Sequence, residues 1–304
     1  MKRVVVLAGG TGGAKLARGM LDLCDGGLTV IANTADDIEI YGAYVSPDPD
    51  LVTFWLADRI DERGWGLRDD TFAVMDGLRE LGVDVWFMLG DRDLAIGIQR
   101  AHRLAEGARL TDAIAELGAA LGIEARVLPM SDEPVRTWVQ ARAEWLPFQE
   151  FMIRAGAAGP VQNTQLRGVG KALPTPEVLA AIAAADAIII GPSNPVISIG
   201  PILTVPEMRQ ALLDSPAPIV AVSPIVGGTV VKGPTEAFMQ WAGYDASTDA
   251  IAACYSGMID GLVADEPVDG LPVLQTDTLM SDVAGRRRLA SETLAFAEGL
   301  RVRR

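Results

Sequence analysis

Short runs of β-branched residues alternate with amphipathic stretches along most of the 304-residue chain. A run that is apolar throughout is typical of a strand buried on both faces, and amphipathic stretches between such runs are typical of the helices that cover those faces. The alternation predicts an α/β fold with a doubly wound, mostly parallel, Rossmann-like sheet. We predict its strands at Arg3–Leu7, Thr29–Ala32, Val85–Leu89, Ala125–Leu128, Ala187–Ile190, Ile219–Val222 and Gly261–Ala264.

The alternation of strand-like and helix-like segments stops between residues 129 and 176, where the sequence is irregular and contains short β-like runs. We predict that residues 1–128 and 177–304 form the core and that residues 129–176 form a smaller inserted subdomain. Its aromatic residues, such as Phe148 and Phe151, fit either a buried local core or a contact in an oligomer.

The composition argues against several classes of protein. A formal net charge of −14 argues against nucleic-acid binding, because phosphate backbones need a basic face. No apolar run reaches the roughly 18 residues that a membrane span needs, and the apolar start is too short for a signal peptide. His102 is the only histidine, which excludes multi-histidine zinc sites and disfavours a serine–histidine–aspartate triad. Cys24 and Cys254 lack metal-ligand spacing, so we expect a reducing, cytoplasmic location.

Glycines, small hydroxyls, amides and charged residues follow five of the predicted strands. Because ligands of such sheets bind outside the carboxyl ends of the strands, the common placement predicts a site for a polar ligand at that edge. The five loops are Gly9–Lys15, Asn33–Asp37, Gly90–Asp93, Gly191–Pro195 and Ser223–Gly228.

The first of these loops predicts a phosphate-binding turn. Four glycines let the backbone approach a ligand closely, and the following helix offers free N–H groups to an anion. The loop matches neither GxGxxG nor GxxxxGK[ST], and a tight turn without a ligand is the alternative. The candidate phosphate-binding residues are Gly10, Thr11, Gly12, Gly13 and Lys15.

Acidic residues cluster in the second loop and in the proline-stiffened turn that follows it. Oxygen ligands suit magnesium, which takes one or two carboxylates and leaves its other positions to phosphates and water. We predict Mg²⁺ at Asp50 and Asp48. An N-cap role is the alternative for Asp50, and a ribose contact is the alternative for Asp36 and Asp37.

Three further polar residues are candidates for ligand contacts. Arg92 could fork onto a phosphate or a carboxylate, or pair with a neighbouring aspartate. Ser193 and Asn194 could hydrogen-bond a nucleotide, or belong to a plain proline-rich turn. His102 fits helix packing or a surface position better than a catalytic role.

Taken together, the loops resemble the 2-phospho-L-lactate transferase family of coenzyme F-420 biosynthesis over almost the whole chain. Each motif is weak by itself, and their number and order make the resemblance specific. The motifs are Gly9–Gly12, Asn33–Asp37, Ser46–Asp48, Leu89–Asp93, Leu128–Asp132, Gly191–Pro195, Ser223–Ile225 and Asp277–Met280.

The resemblance implies a magnesium-dependent transfer by a homodimer. A lactyl- or enolpyruvyl-diphosphoguanosine donates its phospho-carboxylate group to the terminal ribityl hydroxyl of 7,8-didemethyl-8-hydroxy-5-deazariboflavin (Fo), and GMP leaves. It also implies that Asp50 and Arg92 hold Fo and that Asp50 binds the metal. Asp50, or a carboxylate near it, is then a candidate for removing the hydroxyl proton. The sequence departs from many family members at Ile96 and Gly97, where they carry Thr-His, so the resemblance does not carry a histidine contact over to that loop.

Two other functions fit parts of the sequence. The glycine loop and Asp36 suit an NAD-type oxidoreductase, although the third glycine of its fingerprint is missing. A non-enzymatic nucleotide-binding regulator of related fold would share the glycine-rich start. The sequence leaves open whether the donor carries lactate, enolpyruvate or another three-carbon acid.

Overall fold

The computed structural model describes residues 2–230 and 233–301. Within them the strands are β1 (Val4–Ala8), β2 (Leu28–Ala32), β3 (Ile38–Ile40), β4 (Ala43–Val45), β5 (Arg126–Pro129), β6 (Arg136–Ala141), β7 (Glu144–Pro147), β8 (Val161–Arg167), β9 (Ala187–Ile190), β10 (Ile219–Val222), β11 (Ile225–Val226), β12 (Thr229–Val230), β13 (Gly261–Ala264) and β14 (Val273–Gln275). The α-helices are α1 (Gly10–Leu21), α2 (Pro47–Leu56), α3 (Ala73–Glu80), α4 (Asp91–Ala105), α5 (Leu110–Ala120), α6 (Pro176–Ala183), α7 (Ile199–Thr204), α8 (Met208–Asp214), α9 (Thr235–Trp241), α10 (Thr248–Cys254) and α11 (Val283–Arg301).

Seven parallel strands form the central sheet in the order β14-β13-β10-β9-β1-β2-β5. The chain starts at β1, builds outward through β2 and β5, and then returns to the other side of β1 at β9. The order therefore reverses between β1 and β9, which is where ligands of doubly wound sheets bind. The predicted Rossmann-like architecture is confirmed.

Both faces of this sheet are buried, as the continuous apolar runs predict. Along β1, Leu7 packs with one core cluster, which includes residues of α6, α7, α8 and α10. The preceding residue, Val6, packs with the other cluster, which includes residues of α1, α2, α5 and α11. Since successive side chains of a strand point to opposite faces, each apolar strand serves both layers.

The segment between β5 and α6 contains a separate antiparallel sheet in the order β7-β6-β8. Phe148 and Phe151 are buried there and pack with Ile197 and Phe238 of the surrounding chain. These aromatic rings thus form a buried core within the chain. The division into core and inserted subdomain, and the role of this segment in a dimer, stay predictions.

The predicted strand Val85–Leu89 is wrong. The segment has no regular secondary structure and packs against the β3–β4 hairpin, with Phe87 and Leu89 buried in one cluster with Val45. The backbone N–H groups of Trp86 and Phe87 donate to the hydroxyl of Tyr41. Because a side chain takes these bonds, no ladder forms, and the loop Gly90–Asp93 does not follow a sheet strand.

None of the helices in the described ranges is long and apolar enough to cross a membrane.

Candidate functional site

The loops after β1 and β9 touch at the point where the strand order reverses. The Gly9 N–H donates to the Ser193 hydroxyl at 3.3 Å. A Cβ atom at position 12 would lie 2.0 Å from the carbonyl oxygen of Pro192, and one at position 13 would lie 2.9 Å from the Ser193 hydroxyl. Glycine is therefore required at both positions for the two loops to meet, which explains part of the glycine pattern without a ligand.

A cavity of about 430 Å³ opens between these loops, and we call it the glycine-loop cavity. Phe148, Met152 and Ile197 supply an apolar wall. The candidate residues that line it are Gly10, Thr11, Gly12, Lys15, Asp48, Ser193 and Asn194. Gly13 is not among its lining residues and lies against the Ser193 hydroxyl instead. The structure thus brings together nearly all of the predicted phosphate-binding residues.

Helix α1 points its N-terminus at this cavity. Its first N–H, of Gly10, donates to Oδ1 of Asp48 at 2.6 Å. The N–H groups of Thr11 and Gly12 also belong to the first turn, where no acceptor exists within the helix, and both residues line the cavity. Lys15 lines it too, and its Nζ donates to the carbonyl oxygen of Met280 at 3.3 Å. The helix end and the ammonium group make this part of the wall suitable for a phosphate.

Two buried carboxylates face that positive wall. Asp48 also accepts a bond from Asn33 Nδ2 at 3.0 Å, and burial raises the pKa of Asp48 to about 6 although both hydrogen bonds oppose the shift. Asp36 lines the same cavity, and its Oδ1 has no hydrogen-bond partner among residues 2–230 and 233–301. Burial, together with the nearby charges of Asp48 and Asp37, raises the pKa of Asp36 well above its usual range. Two acids that repel each other beside the predicted phosphate-binding turn are candidate ligands of a divalent cation.

Asp50 lies in a different environment from Asp48. Its carboxylate accepts bonds from both terminal nitrogens of Arg100, one of them at 3.0 Å, and Arg100 also donates to the carbonyl oxygen of Tyr44. Asp50 and Arg100 are 4% and 2% exposed, so this is a buried ion pair. The alternative N-cap role of Asp50 is wrong, because α2 begins at Pro47 with Ser46 at the cap position. The predicted metal role of Asp50 stays a prediction.

Arg92 lies in the exposed first turn of α4 and is not among the residues that line the glycine-loop cavity. Its backbone N–H donates to the carboxylate of Asp70 at 3.0 Å. The neighbouring Asp91 accepts bonds from the Thr71 hydroxyl and from the backbone N–H groups of Ala73 and Val74, the first two residues of α3. His102 lies on the exposed face of the same helix, 3.4 Å from Glu106, as its surface interpretation predicts.

A second cavity, of about 410 Å³, adjoins the first, and we call it the aromatic cavity. Asp36, Phe148 and Gln149 line both cavities, and Gln149 Nε2 donates to the carbonyl oxygen of Asp36 at 3.0 Å. The two cavities therefore meet at Asp36. The other residues of the aromatic cavity are Ala35, Asp37, Ile38, Glu39, Ile40, Trp86, Arg136, Thr137, Trp138, Pro147 and Glu150.

Comparison with known proteins identifies the family. The family model described as 2-phospho-L-lactate transferase CofD matches residues 4–280. This chain belongs to the CofD family. The resemblance seen in the loop motifs is thereby confirmed, and with it the assignment of a transferase.

Curated relatives of this CofD family member align over nearly the whole of both chains. The 2-phospho-L-lactate transferase of Methanosarcina mazei is 38% identical over 94% of this chain and 98% of its own. The enzyme of the same name from Methanopyrus kandleri is 39% identical over 98% of both chains. The phosphoenolpyruvate transferase of Kitasatospora aureofaciens is 39% identical over 98% of this chain and 99% of its own.

A solved structure shares the fold of this CofD family member. The crystal structure of a UPF0052 family protein from Bacillus halodurans superposes with a TM-score of 0.63 and covers 97% of this chain and 99% of its own. At 19% sequence identity the likeness concerns the fold alone.

Sequence reasoning missed several residues that shape the site of this CofD family member. Arg100 lies on the buried face of α4 with Leu94 and Gly97, at spacings of three residues. A charged residue on an otherwise apolar helix face was the sequence feature that could have indicated a buried ion pair. Gln149 lies in the irregular segment and carried no pattern. The position of Asp36 between the two cavities could not be predicted, because the residues that line each cavity come from distant parts of the chain.

Proposed function

We propose that this CofD family member transfers the phospho-lactyl or phospho-enolpyruvyl group of a diphosphoguanosine donor to the terminal ribityl hydroxyl of Fo, in coenzyme F-420 biosynthesis. The observation that carries the proposal is the junction of two cavities at Asp36. A transfer between two large ligands needs two binding spaces that share a reaction point, and the glycine-loop and aromatic cavities have that arrangement.

The donor suits the glycine-loop cavity. Its diphosphate matches the N-terminus of α1 and the ammonium of Lys15, both of which favour negative charge. Asn194 adds a donor of fixed direction. Its Oδ1 accepts bonds from the N–H groups of Val196 and Ile197, whereas its Nδ2 has no partner among the described residues and can donate to the ligand.

The acceptor suits the aromatic cavity. The deazaflavin ring of Fo is flat, aromatic and edged with polar atoms, and such rings stack on tryptophan and on guanidinium groups. Trp86, Trp138 and Arg136 all line this cavity. The ribityl chain would then extend past Gln149 toward Asp36.

The bond changes follow from this placement. The hydroxyl oxygen of Fo attacks the phosphorus that carries the three-carbon acid, and a new P–O bond forms. The bond from that phosphorus to the bridging oxygen breaks, GMP leaves with this oxygen, and the hydroxyl proton passes to water. The product is a phosphodiester. Reactions of this kind depend on positioning and charge stabilisation more than on a protein nucleophile.

Magnesium fits this site, and we propose that Asp48 and Asp36 hold it. The unpartnered Oδ1 of Asp36 supports the assignment, as does the mutual repulsion of the two acids. When bound, the ion would neutralise charge that develops on the diphosphate oxygens. The protein itself orients the diphosphate through the N–H groups of α1 and keeps the two ligands in line.

The test is a reconstitution with Fo, guanylylated donor and Mg²⁺. We expect GMP and an Fo phosphodiester, detected by chromatography and mass spectrometry, with a loss of at least roughly 100-fold in rate in excess chelator. Asp36→Asn should lower the rate by a similar factor. The matched control is Asp76→Asn, an exposed acid of α3, which should leave the rate unchanged.

Undiminished turnover in chelator would overturn the metal assignment, and a folded protein that forms no GMP from either donor would overturn the transfer. Relatives of both names are 38–39% identical to this chain, so the assay offers lactyl and enolpyruvyl donors in competition.

A further inference from the structure

Thr278 has an unexplained hydroxyl in the wall of the glycine-loop cavity. The residue is 4% exposed and lines the cavity. Its Oγ1 has no hydrogen-bond partner within residues 2–230 and 233–301. Buried hydroxyl groups are as a rule hydrogen-bonded, so one that stays unpaired at a cavity wall calls for a partner from a ligand.

The backbone around Thr278 is held in place by several bonds. Arg288 donates to the carbonyl oxygen of Asp277 at 2.6 Å and to the Thr276 hydroxyl at 3.0 Å. The Leu279 N–H donates to the carboxylate of Asp277 at 2.8 Å. Two residues after Thr278, the carbonyl oxygen of Met280 accepts the bond from Lys15. The hydroxyl therefore belongs to a preformed wall.

The position of Thr278 along the sheet indicates which part of a ligand it would meet. Asp36 follows β2, whereas Thr278 follows β14, and β1 with its glycine loop lies between these strands. In the proposed reaction the transferred group lies at Asp36 and the diphosphate at the glycine loop. The nucleoside is the one part of the donor that is not yet placed, and it would lie on the β14 side of the glycine loop, where Thr278 is.

We propose that the Thr278 hydroxyl hydrogen-bonds the nucleoside portion of a nucleoside diphosphate, and so contributes to recognition of the donor. The inference rests on the proposed function for the direction in which the donor lies. Thr278 is a binding residue in this assignment and takes no part in the bond changes.

The experiment measures the binding of GDP and of inorganic pyrophosphate by calorimetry, with Mg²⁺ present, to the full chain and its variants. Thr278→Val removes the hydroxyl and keeps the branched shape. We expect its Kd for GDP to rise about tenfold, the effect of one lost hydrogen bond, and its Kd for pyrophosphate to stay unchanged. Thr278→Ser keeps a hydroxyl and should bind GDP within about twofold of the wild type.

The matched control is Thr293→Val. Thr293 is also buried with an unpartnered hydroxyl among the described residues, but it lies in α11 and does not line the cavity. This variant should bind GDP as the wild type does. Thermal melts check that every variant folds, and Thr278→Ala takes the place of Thr278→Val if the valine variant unfolds.

The outcomes separate this inference from the proposed function. Unchanged GDP binding by the folded hydroxyl-free variant would overturn the inference, as would an equal loss for pyrophosphate or a wild type that does not bind GDP. A protein that binds GDP through Thr278 but releases no GMP with Fo and donor would overturn the proposed transfer and leave the inference standing.

Discussion

The first turn of α2 presents two carboxylates to two different regions of the molecule. Asp48 faces the glycine-loop cavity and is held by a backbone N–H of Gly10 and the amide of Asn33. Asp50, two residues later, is buried against the guanidinium of Arg100, with no place in the wall of that cavity. One acid has neutral partners, and the other has a counterion.

The difference shows how one short turn can carry an acid for the cavity, Asp48, and an acid that stabilises the packing of helices, Asp50. Neutral donors orient Asp48 without cancelling its charge, so it keeps an affinity for a cation, and burial raises its pKa to about 6. The ion pair of Asp50 instead joins α2 to α4 and, through the second bond of Arg100, to the carbonyl oxygen of Tyr44 in β4. We infer that the pair fixes the turn that carries Asp48.

The largest effect is expected from breaking the buried pair. Arg100→Met leaves the Asp50 carboxylate buried without its counterion, which should cost about 3–5 kcal/mol in the free energy of unfolding, measured with denaturant. The double variant Asp50→Leu with Arg100→Met should recover much of that loss, because neither member of the pair is then left without the other.

Arg103 on the same helix gives the control for that comparison. It pairs with Glu116 at 2.9 Å on the surface, so Arg103→Met should cost less than about 1 kcal/mol. Equal costs for the Arg100 and Arg103 variants would show that the buried pair does not stabilise the turn.

The next effect concerns the acid at the cavity. Asp48→Asn removes the charge that we place beside the diphosphate, and we expect the transfer rate to fall by about 100-fold, with a weaker dependence on Mg²⁺. Asp50→Asn should lower the free energy of unfolding and leave the Mg²⁺ dependence intact. The measurement is the rate of GMP release against Mg²⁺ concentration at a temperature where both variants are folded. If Asp50→Asn abolished the Mg²⁺ dependence instead, Asp50 would bind the metal, and our assignment of a purely structural role to its pair with Arg100 would be wrong.

The strands of the sheet were predictable because each is marked by its own short apolar run. Residues 187–190 and 219–222 are apolar throughout, and strands buried on both faces need nothing more specific. The segment Val85–Leu89 shows the limit of that signal. It is also apolar throughout, but the hydroxyl of Tyr41, more than 40 residues away, accepts hydrogen bonds from two of its N–H groups.

The site was predictable to the same extent. Loops at the carboxyl edge indicated Gly10, Lys15 and Ser193, since the topology itself brings them together, and the proline-stiffened acidic turn indicated Asp48. The partner of Asp50 was not predictable, because Arg100 is 50 residues away in sequence and reaches the turn only through the packing of α4. The aromatic cavity was not predictable for a similar reason, because its walls come from four separate segments of the chain.

The smallest effect that we expect is on thermal stability, and it comes from Asp37, a third acid near Asp48 and Asp50. It accepts a bond from the Ser46 hydroxyl at 2.8 Å and lies near Arg136 and Arg100, yet burial outweighs these interactions and raises its pKa to about 7. A carboxyl group whose pKa is raised in the folded state stabilises the fold fully below its unfolded pKa, near 4, and loses that contribution as the pH rises through about 7.

Asparagine mimics the protonated form of Asp37 at every pH. We therefore expect Asp37→Asn to match the wild type in Tm near pH 4 and to exceed it by about 2–4 °C at pH 8, measured by thermal melts across this range. Asp22→Asn, an exposed acid of the α1 end, should show no such divergence. A difference in Tm that stayed constant from pH 4 to pH 8 would mean that Asp37 is ionised throughout. Its neighbours Arg136 and Arg100 would then act on it as counterions, as Arg100 does on Asp50, and Asp48 would be the exception in this cluster.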